Sequence, residues 1–114
     1  MFIVIGVVII VILLIYLFPL AKVYGTSMLP TFKEGNILIC TRIFTDALEK
    51  GEIYIFKSPS GRLAIKRLMK AKLNPDLTFD CWFEGDNFAE SYDSRNYGYI
   101  NEEKIVAKVL WKLK

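Results

Sequence analysis

The sequence predicts an all-β domain carried behind one N-terminal transmembrane helix. Three observations lead there. Residues Phe2 to Phe18 carry no charged side chain and no polar group beyond the Tyr16 hydroxyl. Every charged side chain lies at Lys22 or later. Beyond that point, short runs rich in β-branched and aromatic residues alternate with turn-forming Gly, Pro, Asn and Asp, as strands do. At 114 residues the chain has room for one small domain. The expected division is an anchor over residues 1–21 and a β-rich domain over 22–114.

The anchor is argued from length. About 20 helical residues at about 1.5 Å each span about 30 Å, the thickness of a bilayer's hydrocarbon core. Its many Ile and Val residues are no obstacle in lipid, where only intrahelical bonds can satisfy the backbone. A cleaved secretory signal is disfavoured: there is no positive n-region, the apolar run is long, and no clear small-x-small site comes before Gly25. A buried core helix is disfavoured too, because about 90 other residues could hardly cover it on all sides. A lipid bilayer is therefore an expected partner, with one pass through it. No Lys or Arg precedes the span, so charge bias leaves the orientation open.

The strands follow in order. Asn36–Phe44 is an Ile-rich run after Gly35, and Glu52–Lys57 is a second. Pro59, Ser60 and Gly61 form a turn, and Arg62–Met69 returns as a hairpin. Asn74-Pro75-Asp76 is the next turn, Leu77–Phe83 a further strand stopped at Gly85-Asp86-Asn87, and Ile105–Leu113 the last. Short strands at short spacing suggest a sandwich or a partly open barrel.

Composition narrows the chemistry. The chain has no histidine, which removes Ser-His-Asp and Cys-His arrangements and every histidine-based zinc site. No metal or cofactor is expected. Fifteen basic and twelve acidic residues are interleaved and leave a net charge of only +3, which argues against nucleic acid as the partner. Cys40 and Cys81 have neither metal nor redox spacing and read first as buried small hydrophobes.

Three stretches hold candidate functional residues. In Gly25-Thr26-Ser27-Met28-Leu29-Pro30-Thr31, Gly25 permits an unusual backbone and Pro30 stiffens the exit, so a serine between them can be held firmly. The plain alternative is an ordinary turn with a solvated serine. Lys66 shares a strand face with Ala64 and Leu68, where desolvation lowers an ammonium pKa and a neutral amine can take a proton from a hydroxyl. The plain alternative is a lysine whose stem lies on apolar surface while its head reaches water. The stretch from Gly85 to Gly98 is polar yet studded with aromatics; Asp93 and Arg95 suit an ion pair, and Ser91 can orient a polar group. It reads equally as a long surface loop.

Together these stretches resemble signal peptidase I. Gly25–Thr31 resembles that family's nucleophile motif. Gly51-Glu52-Ile53-Tyr54-Ile55-Phe56 resembles the strand motif that follows, with Glu52 where the family usually has Asp. Ile65-Lys66-Arg67 is similar to its general-base motif, and Gly85-Asp86-Asn87 with Ser91, Asp93-Ser94-Arg95 and Gly98 to its last motif. The resemblance implies an all-β serine endopeptidase with Ser27 as nucleophile and Lys66 as general base. It further implies that Ser91 positions the amine and that Asp93 and Arg95 brace the site. Gly25, Thr26 and Met28 would line the oxyanion and substrate-binding side, with the Ser27 N–H as one oxyanion donor. Gly25 stands where many relatives supply a hydroxyl as the second. The implied partners are precursor proteins with small residues at the first and third positions before the cut. The implied location is the outer face of a bacterial plasma membrane. The family's usual Pro-Gly-Asp turn after the lysine motif is missing, and a second β domain cannot fit between Lys66 and Gly85. This short form also resembles the mitochondrial inner-membrane peptidases, whose membrane is the alternative location.

Other readings stay open from residues alone. They are a dedicated processing protease of the same family, a self-cleaving Ser-Lys protease of the repressor type, and a non-catalytic membrane-anchored β module.

Overall fold

The structure, a computed structural model, describes residues 1–43 and 48–114. Phe44, the expected end of the first long strand, lies outside the described residues.

Helix α1 (Phe2–Leu17) is built wholly from apolar residues and Tyr16, and none of its side chains is buried. Pro19 stops it, lacking an N–H and disfavouring helical geometry at Phe18, whose φ and ψ are −126° and 69°. The expected span of Phe2–Phe18 is thereby shortened to 16 helical residues. At about 1.5 Å per residue that is about 24 Å, short of the hydrocarbon core. Among the described residues no helix is long and apolar enough to cross a membrane.

The strands are β1 (Leu20–Lys22), β2 (Ile37–Thr41), β3 (Ile53–Lys57), β4 (Leu63–Leu73), β5 (Phe79–Glu84), β6 (Ile100–Asn101) and β7 (Ile105–Lys112). They form one sheet in the order β1-β2-β7-β3-β4-β5-β6, each neighbouring pair antiparallel. The expected all-β domain is present, and its strands form a single sheet. Register shifts at Ile39/Cys40, Ile55/Phe56 and Leu68/Lys70 bend it. Both of its faces carry apolar cores, and β3 shows how. Ile53 and Ile55 pack with Val23, Met28, Phe32, Leu38 and Val109 on one side, while Tyr54 and Phe56 pack with Leu68, Cys81, Phe83 and Ile100 on the other. Alternation sends successive side chains to opposite faces, so an unbroken run such as Ile53–Phe56 fits a strand covered twice.

β4 has two partners in succession. Leu63–Arg67 pairs with β3, and Arg67–Leu73 pairs with β5. The strand therefore runs four residues beyond the expected Met69. Among the described residues, the edge of Leu63–Lys66 away from β3 carries no strand. Cys40 and Cys81 are buried and unbonded, one in each core. Burial raises both thiols, Cys40 to about 11 and Cys81 to about 12.

Candidate active site

Residues 23–36 link β1 to β2 as a closed loop. Its ends are joined by Val23 N–H donating to Asn36 O at 2.9 Å and by Gly35 N–H donating to Val23 O at 2.9 Å. Val23, Met28 and Phe32 point into the core. A helical turn, with Phe32 N–H on Met28 O at 2.9 Å, sets two of these anchors one above the other. Ser27 precedes the buried Met28 and borders a groove of about 400 Å³ with Leu20, Tyr24, Leu63, Ile65 and Lys66. That groove follows the open edge of β4.

β4 delivers Lys66 to the same place. Its Nζ donates to Ser27 Oγ at 2.7 Å, and the side chain is only 7% exposed. Burial pushes the Lys66 pKa down; the negative charge of Asp93 opposes this. The Ser27 hydroxyl and the Lys66 amine are thus in direct contact, although 39 residues separate them.

Asp93 organises the other side. Its carboxylate is wholly inaccessible and accepts five hydrogen bonds: from Arg95 Nε at 3.0 Å, Arg95 Nη2 at 2.7 Å, Arg95 N at 3.0 Å, Gly85 N at 2.8 Å and Ser91 Oγ at 2.5 Å. It also caps the short helix α2 (Ser94–Tyr97), where the Asn96 side chain accepts from the Asp93 N–H. Burial alone would raise this carboxyl. The hydrogen bonds from Arg95, Ser91 and Gly85 outweigh it and hold the pKa far below the usual carboxylate range.

The two sides meet at Gly85 and Asn87. Asn87 N–H donates to Ser27 O at 2.9 Å, and its side-chain amide donates to Thr26 O at 3.0 Å. A Cβ on Gly85 would lie 2.1 Å from Ser91 Oγ and 2.6 Å from Ser27 O, so only glycine lets these strands of chain come so close.

The structure therefore brings Ser27 to Lys66 and gathers Ser91, Asp93 and Arg95 into one cluster. Three details differ from expectation. The Ser91 hydroxyl donates to Asp93, whereas the Lys66 amine donates to Ser27. Met28 borders the groove, but at 1% exposure it serves mainly as a core anchor. Gly25, at φ +77°, donates its N–H to Glu34 Oε1 at 3.1 Å, and Thr26 donates its hydroxyl to Glu90 Oε2 at 2.6 Å. Both of those donors are occupied, whereas nothing among the described residues accepts from the Ser27 N–H.

Sequence reasoning missed a clasp beside the site. Arg67 grips Asp86 through Nε at 2.8 Å and Nη2 at 2.6 Å, and donates to Gly51 O at 2.6 Å. Thr31 Oγ1 donates to the same carboxylate at 2.5 Å. The clasp ties the serine loop, β4 and the Gly85 turn together. All three residues lie inside the motifs quoted above, but nothing local pairs them. Among the described residues no cluster of His, Cys, Asp and Glu is arranged to hold a metal ion.

The family model described as signal peptidase, peptidase S26, matches residues 1–71. Mitochondrial inner membrane protease subunit 1 of Schizosaccharomyces pombe is 29% identical over 114 residues, covering 83% of this chain and 73% of that protein. Signal peptidase I of Bacillus caldolyticus is 25% identical over 143 residues, covering 83% of this chain and 79% of its own length. Mitochondrial ATP-independent inner membrane protease subunit 1b of Arabidopsis thaliana is 28% identical over 120 residues, covering 86% and 71%.

Proposed function

This chain belongs to the signal peptidase family, peptidase S26, and we propose that it is a membrane-bound serine endopeptidase that removes signal peptides from exported precursors. In this reading Ser27 is the nucleophile and Lys66 the general base. The observation that carries it is the 2.7 Å contact between Lys66 Nζ and Ser27 Oγ in a buried setting that favours the neutral amine.

The chemistry follows from that contact. Neutral Lys66 accepts the Ser27 hydroxyl proton as Oγ bonds to the scissile carbonyl carbon. The carbonyl oxygen takes the negative charge and faces the Ser27 N–H. On collapse the C–N bond breaks, and the Lys66 ammonium returns its proton to the leaving amine. Water then attacks the acyl-enzyme with Lys66 again as base, releasing the acid and restoring Ser27. Asp93, braced by Arg95, keeps the Gly85 turn against the serine loop.

The membrane assignment draws support from α1. Its side chains are apolar and exposed around the whole circumference, which suits hydrocarbon better than water. A stretch shorter than the bilayer core is accommodated by local thinning at modest cost. Groove and helix are joined through β1, so a substrate cut here is one presented at the membrane surface.

A nearer alternative is a processing protease of the same family with one or a few dedicated substrates; two of the similar proteins are mitochondrial inner membrane protease subunits. The test is purified full-length protein in detergent, given a panel of precursors with small residues before the cut. We expect cleavage that is lost in Ser27→Ala, together with labelling of Ser27 by a serine-reactive probe. Cleavage of a single precursor in the panel would favour the dedicated enzyme. Neither cleavage nor labelling would leave a non-catalytic module.

A further inference from the structure

The exit of the apolar helix is not a loose tether. The last four carbonyls of a helix lack internal partners, and its C-terminus carries partial negative charge. A local cap would need a residue in the left-handed region just past the end, and that position holds Pro19. The cap comes instead from Arg42, the residue that follows β2. Arg42 Nε donates to Tyr16 O at 2.8 Å, and the Arg42 backbone N–H donates to Leu17 O at 2.8 Å. Its guanidinium lies 5.0 Å from the centre of the Tyr16 ring. Cys40 N–H holds Pro19 O at 2.9 Å, completing the seam. Among the described residues no carboxylate pairs with Arg42. Its charge is directed at the helix end and the tyrosine ring.

The surroundings give this joint a setting. Pro19, Leu20, Arg42, Ile55 and Leu63 line one shallow depression of about 270 Å³, and Leu20 and Leu63 are each about two-thirds exposed. Leu20 and Leu63 also border the groove that holds Ser27 and Lys66. The helix exit and the candidate active site are thus neighbours on one apolar rim.

We infer that Arg42 is a positioning residue: it holds α1 at a set angle to the sheet and thereby sets the depth at which Ser27 meets a bilayer-inserted substrate. Arg42 touches neither Ser27 nor Lys66 and takes no part in bond making. A planar guanidinium can bond the carbonyl while stacking on the ring, which a lysine ammonium cannot do as well. The inference about rate rests on the reading of the site as a peptidase; the inference about the joint does not.

The experiment uses the full chain in lipid nanodiscs, with spin labels attached at Ile9→Cys on α1 and Lys112→Cys on β7. The parent should give a narrow distance distribution, Arg42→Ala a broad one and Arg42→Lys an intermediate one. In unlabelled protein, Arg42→Ala should cleave a short soluble peptide at the parent rate. It should cleave a bilayer-inserted precursor about tenfold more slowly, the weight of one hydrogen bond to a charged group. Unchanged label distances in both variants would overturn the joint, and so would equal losses on peptide and precursor. Broadened distances in a protein whose parent cleaves neither substrate would uphold the joint and sink the peptidase reading instead.

Discussion

Residues 23–36 carry Ser27 between apolar anchors, whereas residues 85–98 hang on hydrogen bonds to one carboxylate. Met28 and Phe32 hold the first loop by burial in the core beneath it. Asp93 holds the second through Arg95, Ser91 and Gly85. The difference suits the tasks. Apolar anchoring leaves the serine hydroxyl and its N–H free of competing bonds within the loop. Polar anchoring brings a negative charge near Lys66 without exposing it to water, and that charge acts directly on the amine. In the proposed mechanism one loop supplies the reacting group, and the other sets the electrostatics around its base.

The largest expected effect lies where the two loops converge. Ser27→Ala and Lys66→Ala should each lower turnover by at least about a thousandfold, and the double variant should be little worse, since paired groups act as a unit. Lys66→Arg should be equally inactive because guanidinium stays protonated. In the parent, burial lowers the Lys66 pKa, so activity should rise with pH as the amine loses its proton. A flat profile from mildly acid to alkaline pH, or an active Lys66→Arg, would break the comparison at its centre.

The polar loop should fail next. Asp93→Ala strips Arg95 of its partner and should cost about 3–5 kcal/mol in denaturant unfolding, the usual penalty for breaking a buried pair. Asp93→Asn separates charge from shape. Removing a charge that raises the Lys66 pKa should move the acid limb of the activity profile to lower pH. The stability profile has its own sign. The Asp93 pKa is depressed in the folded protein, so its contribution is present above about 3.9 and lost as pH falls through the folded value. Asp93→Asn should lose that acid-sensitive component. An unshifted activity limb would mean that Asp93 acts on geometry alone.

The apolar loop should respond differently. Met28→Ala should cost about 2–5 kcal/mol through the cavity it leaves, seen as a lower Tm, while its acid limb stays where the parent's lies. A moved limb would show that the loop also tunes Lys66. The smallest effect belongs to Thr26→Ala, which removes an exposed hydrogen bond to Glu90. Its stability should fall by less than about 1 kcal/mol, measured by thermal unfolding, with turnover near the parent's.

Local pattern carried much of this protein. The apolar run ended by Pro19, the doubly buried Ile53–Phe56 and the motif residues Ser27, Lys66, Asp93 and Arg95 were legible because each rests on neighbours in the chain. The two-residue strand β6 and the three-residue β1 were not, since such short pieces show no period and exist only through Cys81, Asp80 and Ile37–Ile39 across from them. Nor was the placement of β7 between β2 and β3, which joins the two ends of the chain's strand order into one bent sheet. Arg67, Asp86 and Thr31 stood in view without partners, because the Thr31–Asp86 bond closes over 55 residues. Arg42 was likewise a lone charge until β2 set it beneath the helix end. Burial periods are written along the chain, so sequence determined the longer elements and the candidate residue types. Hydrogen-bond partners are chosen by which distant segments become neighbours, and that only the tertiary structure decided.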